Sequence, residues 1–334
     1  MSELHLRYLN HEDVAALGIT DAEILAAVEA ALRAQGLGDT VIEPRVHLIP
    51  ERDVPGHFNV LRGYIRPLRL AGVKVVGDFY RNYEAGLPSE LALLNLFDPS
   101  TGAPLAIIDA SDITDMRTGA MTAIGAKLLA RRDSRVLAHI GTRGTAYWNV
   151  RLLCHVFGFE EIRVHSRRAE SRSAFAAQLQ RELQTRITVS EDWESCVRGA
   201  DIIVEASRLE RPMPLLRTEW IAKGACVIPY GTMSAVELSL TDIMDKVVVD
   251  DWGQAGAGPF GALRAHVDSG RLSAATLYAE LGQIAAGLKP GRESPDETIL
   301  FWHRGLSLSD IALGAAMLEK AEARGIGQML LYRR

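Results

Sequence analysis

Apolar and polar positions alternate in two different rhythms along this chain, and the change of rhythm predicts two domains. Thr20-Asp-Ala-Glu23 is a capping box, with a hydroxyl and a carboxylate placed to satisfy the free N–H groups of a helix that runs to about residue 34. From Glu43 to Asp109 short apolar runs separated by turn residues predict strands over 45–49, 58–64, 70–77, 91–97 and 104–109, a meander-like sheet. A helix is predicted from about Thr114 to Arg131, and Arg132-Asp-Ser-Arg135 reads as a junction. Beyond it a strand, turn, helix order repeats, with strands predicted over 136–140, 161–165, 201–206, 225–230 and 246–251. Most of these are apolar on both faces, as parallel strands covered by helices on each side require. A helical stretch over 308–323 and an apolar end, Met329-Leu-Leu-Tyr332, close the chain.

Composition narrows the class of protein. At 334 residues the chain exceeds what one hydrophobic core usually serves. Hydrophobic residues make up 48% and charged residues 24%, the balance of an ordinary globular protein. A formal net charge of −5 offers no general attraction for nucleic acid or an anionic membrane, which favours small-molecule partners. Cys154, Cys196 and Cys226 are too few and too scattered for a disulfide framework or a metal site, and read as reduced thiols. With no secretory pattern at the N-terminus and no apolar run of about eighteen residues, a cytoplasmic location is expected.

The strand ending at Ile140 runs into Gly141-Thr-Arg-Gly144-Thr-Ala, followed by a helix. Glycine in such a turn lets the backbone approach a pyrophosphate, while the helix start supplies N–H donors and a positive dipole. Arginine stands where the usual motif has its second glycine and Ala146 where it has its third, so an ordinary strand-to-helix turn carries about even odds on the motif alone. The next strand ends in His165-Ser166-Arg167-Arg168, where dinucleotide domains read the adenosine ribose. An acid there would bind the 2′-hydroxyl of NAD; a serine and two arginines suit the 2′-phosphate of NADP. NADP(H) is therefore favoured, with NAD(H) still open. The alternative is a solvated basic start to the following helix. The expected cofactor contacts are Thr118, Gly141, Thr142, Arg143, Gly144, Thr145, Ser166, Arg167 and Arg168, with Ala206, Ser207, Gly231 and Met233 at the ends of two later strands.

Three cations occupy costly places. Lys74 interrupts an apolar strand, either as an edge-strand guard against aggregation or facing a substrate. Arg45 shares a strand face with His47 and Ile49. Arg117, in Thr114-Asp-Met-Arg-Thr-Gly-Ala120, falls in the first turn of the predicted helix, where the macrodipole disfavours a cation by up to about 1 kcal/mol. A bound anion, with Thr118 adding a hydroxyl, would offset that; pairing with Asp112 or Asp115 is the plainer explanation.

The stretches Gly86-Leu-Pro-Ser89, Leu96-Phe-Asp98, Thr101-Gly102, Pro104-Leu-Ala-Ile-Ile-Asp109 and Ile113-Thr-Asp-Met-Arg-Thr-Gly-Ala120, with Ala279-Glu-Leu-Gly282, Ala286-Gly287-Leu-Lys-Pro-Gly-Arg292 and Ser294-Pro-Asp296, resemble the ornithine cyclodeaminase and mu-crystallin family over nearly the whole chain. The resemblance implies an α/β fold in which a Rossmann-type doubly wound domain, residues 129–304, is inserted into a discontinuous α+β domain. That second domain, 1–128 completed by 305–334, would bind substrate and form a homodimer. It implies that Arg45, Lys74 and Arg117 hold a substrate carboxylate; no metal is expected.

Two departures shape the functional expectation. Cyclodeaminases carry an aspartate just after a Gly-Ala or Gly-Thr pair, where this chain has Met233 in a shortened loop, and a thioether cannot act as a base. His303 stands where the family more often has a small residue, and an imidazole could donate a proton to an imine nitrogen or be a packed structural residue. The expectation is an NADPH-dependent reductase of a ketimine or imino-acid carboxylate, with Lys74 or His303 supplying the proton. A cyclodeaminase-type lyase using bound NAD and a noncatalytic NADPH-dependent binding protein are the alternatives.

Overall fold

Leu4–Leu9 opens the chain as a strand, and the last strand, Gln328–Arg333, pairs with it antiparallel, so both ends of the sequence belong to one sheet. The computed structural model describes residues 3–50, 56–79, 81–209 and 211–334. Two units emerge: one comprises Met1–Arg117 with Gly305–Arg334, the other Thr118–Arg304. The first break falls inside the helix Ser111–Leu129, eleven residues before the boundary at 128 that the resemblance implies, and the second falls between Arg304 and Gly305.

In the first unit the sheet runs Gln328–Arg333, Leu4–Leu9, Pro104–Asp109, Glu90–Phe97, Leu70–Phe79, Gly56–Ile65 and Thr40–Ile42, with Val46–Leu48 also pairing to Gly56–Ile65. Neighbours are antiparallel except Leu4–Leu9 beside Pro104–Asp109. Period-two alternation sorts the side chains: Ala92, Leu94 and Leu96 point into the core, whereas Leu91 and Leu93 stay exposed. On the core face lies the helix Ser307–Arg324, and against it packs the helix Asp21–Gly36, capped by Thr20 and Glu23 as the sequence predicts. Gly72 allows the former to approach, since a Cβ there would stand 2.6 Å from Ile311 Cγ1.

Parallel strands make up the second unit's sheet, in the order Arg186–Val189, Glu161–His165, Val136–Ile140, Ile202–Glu205, Cys226–Pro229, Ile299–Trp302, Lys246–Val249 and Ala279–Glu280. The order reverses between Val136–Ile140 and Ile202–Glu205, and a crevice at such a switch point is where dinucleotides bind. Arg186–Val189, Ala279–Glu280 and Ile299–Trp302 are strands absent from the prediction, the last of them although Ile-Leu-Phe-Trp is apolar throughout. Among the described residues no helix is long and apolar enough to cross a membrane.

Strand Ile202–Glu205 ends in a carboxyl group with no exposure to water. One oxygen accepts the Ser207 N–H at 2.8 Å, and the other has no partner. Gly231 leaves room for it, because a Cβ at that position would lie 2.7 Å from Glu205 Oε2. Burial pushes the Glu205 pKa up to about 7, outweighing the hydrogen bonds that favour the anion. The folded chain therefore holds this proton more tightly than the unfolded chain, whose glutamate titrates near 4.5. Stability is full below that value and falls as pH rises toward about 7, by on the order of 3 kcal/mol. Glu205→Gln should flatten that fall, so that urea unfolding at about pH 5 and about pH 8 gives more similar free energies than in the parent protein.

Candidate functional site

Lys74 sits on strand Leu70–Phe79, which has Gly56–Ile65 on one side and Glu90–Phe97 on the other. The edge-strand explanation is thereby excluded: the lysine is internal and its side chain is wholly buried. Its ammonium donates to Asp310 Oδ1 at 2.5 Å and to Thr114 Oγ1 at 3.1 Å, and the Thr114 hydroxyl in turn donates to the Ala110 carbonyl. Desolvation lowers the lysine pKa to about 8, with Arg117 pushing the same way and Asp310 opposing.

Arg117 corrects two expectations. The helix begins at Ser111, whose N–H is taken by Asp109 Oδ1, so Arg117 lies in its second turn and the macrodipole is not what it works against. Nor does the guanidinium pair with Asp112 or Asp115; its Nε donates to Asp310 Oδ1 at 3.0 Å. The cost of the buried arginine is desolvation, and a carboxylate from the far end of the chain offsets it. Arg45 joins the group through the Gly305 carbonyl, which accepts from its Nη2 at 2.8 Å. Gly305 has φ +83°, and a Cβ on it would stand 1.8 Å from Arg117 Nη1. The three cations chosen from the sequence thus gather around residues 305–310.

Asp310 is the residue that sequence reasoning missed. It is unexposed, receives both Lys74 and Arg117 on one oxygen, and keeps Oδ2 buried without a partner. Its signal was an acid inside a stretch, 307–314, in which every residue is buried. Asp115 was weighed only as a partner for Arg117; burial, then the nearby Glu90 and Asp112 carboxylates, push it up to about 7. His47 packs its ring 5.4 Å from that of His57.

In the second unit the turn after Val136–Ile140 is shaped for an anion. Gly141 has φ +101°, and a Cβ there would collide with the Ala206 carbonyl oxygen at 2.6 Å. Gly144 has φ +55° with open space where its Cβ would be. No side chain caps the helix Ala146–Val156, since the Thr145 hydroxyl meets Tyr230 Oη at 2.6 Å instead. Ala146 N–H donates to the Arg143 carbonyl at 3.3 Å, and the N–H groups after it have no side-chain cap, a helix start that fits a dinucleotide pyrophosphate. Gly119 lets the helix Ser111–Leu129 pass the Trp148 backbone, 2.6 Å from where its Cβ would be. Thr142 donates to Ser166 Oγ at 3.0 Å, tying this turn to the next. Arg143, Arg167 and Arg168 are exposed, and Arg172 donates to the Ser166 carbonyl. Ala206, Ser207 and Gly231 follow the ends of adjacent strands, and Thr118 is buried.

Two of the singled-out residues face inward. Met233 is half-buried and packs on the unit's hydrophobic core. His303 is 1% exposed; its ring stacks on Tyr230 at 4.6 Å and lies 5.2 Å from Phe301, while Nε2 is 3.0 Å from Thr122 Oγ1. With aromatic neighbours on the ring and a hydroxyl on its nitrogen, His303 is a packed and hydrogen-bonded residue in this unit. Among the described residues no group of three or more His, Cys, Asp or Glu side chains could hold a metal ion.

The chain is 32% identical to alanine dehydrogenase of Archaeoglobus fulgidus over 332 residues, covering 97% of this chain and 98% of that one. An archaeal alanine dehydrogenase dimer with bound NAD superimposes with a TM-score of 0.90 at 30% identity, covering 98% and 100% of the two chains. The Thermococcus litoralis Δ(1)-pyrroline-2-carboxylate reductase, in complex with NADH and L-proline, does so with a TM-score of 0.89 at 28% identity, covering 97% and 99%. The family model for ornithine cyclodeaminase/mu-crystallin matches residues 7–325, and with it the cation cluster, the glycine turn and the inserted parallel sheet, so the chain belongs to the ornithine cyclodeaminase/mu-crystallin family.

Proposed function

We propose that this chain is an oxidoreductase that uses NADPH to reduce the C=N bond of an imino-acid carboxylate, such as a five- or six-membered cyclic ketimine, to the amino acid. The observation that carries the reading is the buried cluster of Lys74 and Arg117 on one oxygen of Asp310, with Arg45 anchored on the adjoining Gly305 carbonyl. Three cations gather beside the fully buried Asp310 carboxylate, with Glu90 and Asp115 also within electrostatic reach, and the guanidinium groups of Arg45 and Arg117 are the donors a substrate carboxylate would take. Among relatives, the Thermococcus litoralis protein named above is a pyrroline carboxylate reductase bound to an amino acid, which supports the substrate class.

A bound dihydronicotinamide supplies the hydride; the protein supplies orientation and the proton. Arg45 and Arg117 present N–H donors to the substrate carboxylate, so the C=N carbon is held in one orientation. Lys74, lowered to about 8, is mainly an ammonium at neutral pH, yet gives up its proton more readily than an ordinary lysine. It hands that proton to the nitrogen as the carbon receives hydride, and the product is the neutral amine. His303, enclosed by its neighbours, is left out of this scheme. Met233 packs on the core and offers no base, which weighs against ammonia-releasing chemistry.

NADPH is our choice over NADH because the strand Glu161–His165 is followed by Ser166, Arg167 and Arg168 with no acid to bind a 2′-hydroxyl. We also assign a second copy of this chain to the open face of the first unit's sheet. Leu91, Leu93 and Leu105 lie on that face, 42%, 48% and 36% exposed, on strands whose alternate residues are core. The archaeal alanine dehydrogenase dimer supports that assignment.

NADPH oxidation against a panel of cyclic and acyclic imino acids tests the function, and a saturated protein that reduces none of them would refute it. Lys74→Met should lower kcat on the best substrate by about a hundredfold or more, with NADPH affinity unchanged. Replacing Arg167 and Arg168 by alanine should weaken NADPH binding by about tenfold or more while NADH changes little; equal losses in a cofactor titration would reject the NADP assignment. Leu93→Lys should convert the dimer to monomer in sedimentation velocity, whereas an unchanged sedimentation coefficient would place the interface elsewhere.

A further inference from the structure

Asp310 stands in the first turn of the helix Ser307–Arg324, where the helix end favours a negative charge. We propose that Asp310 is a positioning residue for imine reduction, using one carboxylate oxygen to hold the Lys74 proton donor and the Arg117 clamp side by side. The inference rests on the function proposed above. Two donors on the same oxygen, at 2.5 and 3.0 Å, lie within a few ångström of each other, and neither can swing away without leaving a buried charge unpaired. The point of proton delivery is thereby fixed relative to the point of carboxylate attachment.

Charge as well as place is set by this contact. The groups that act on Lys74 come from three elements: Asp310 from the helix Ser307–Arg324, Arg117 and Asp115 from the helix Ser111–Leu129, and Glu90 from the strand Glu90–Phe97. The paired strand Gly56–Ile65 brings the apolar Leu61 opposite Lys74. Desolvation and Arg117 both favour loss of the lysine proton, and Asp310 is the strongest influence opposing them. A neutral side chain at 310 that keeps the shape therefore turns Lys74 from an ammonium toward an amine.

Asp310→Asn, which keeps an oxygen acceptor and loses the charge, tests this. The alkaline limb of the pH profile of kcat for imine reduction should move at least one pH unit lower. At about pH 8 kcat should fall tenfold or more, KM for the imino acid should not rise, and lowering the pH should recover turnover. Retained NADPH binding by nicotinamide fluorescence shows that the variant is folded. Should Asp310→Asn fail to fold, Asp310→Glu keeps the charge and displaces it: kcat should drop while the alkaline limb stays where it is in the parent. An unmoved limb in Asp310→Asn, or a shifted limb in Asp310→Glu, overturns the assignment. Failure of the parent protein to reduce any imine would count against the proposed function instead.

Discussion

A carboxylate shut away from water, bonded to a lysine and an arginine that are themselves buried, organises the first unit of this protein. Each ion costs several kcal/mol to desolvate, and their mutual attraction offsets this only when geometry is tight. Apolar side chains of similar volume would serve the fold as well. What they could not do is meet an incoming anion, which is the part that the function proposed above gives to Arg45 and Arg117. The partnerless Asp310 Oδ2 adds to the cost, because a buried acceptor without a donor is expensive to maintain.

Much of the framework was legible in the residues. Strands 104–109, 136–140 and 161–165 appear where apolar runs end in turn signals, and the Thr20 and Glu23 box starts its helix as drawn. Strands with few apolar residues, such as Arg186–Val189, were silent because their neighbours in the sheet, and not their own pattern, hold them extended. The start of the Ser111 helix was misplaced by three residues, since Asp109 caps it from inside what reads as a strand; a dipole argument for Arg117 went with it. That Arg45, Lys74 and Arg117 belong together came from the family motif, as nothing in their spacing brings 45, 74 and 117 to one place. Asp310 was hidden because an acid near a helix start is what any helix prefers, and only the burial of everything around it sets this one apart.

In the second unit the fit to a dinucleotide is made by backbone more than by side chains. Gly141 and Gly144 in one turn and Gly231 in another bring no side chain to these strand ends, and the hydroxyl of Thr145 is spent on Tyr230, so no side chain caps the helix beyond it. The same Tyr230 stacks on the His303 ring, whose Nε2 meets the Thr122 hydroxyl.

Gly305 gives the basic cluster a fixed wall. Its left-handed backbone excludes ordinary residues, the Arg117 guanidinium fills the space beside its Cα, and its carbonyl is committed to Arg45. There is no side chain here to trim and no room to add one: any larger residue would displace the Arg117 guanidinium and with it one of the two donors that Asp310 holds, so a change at this single backbone position would be felt by every charge in the corner.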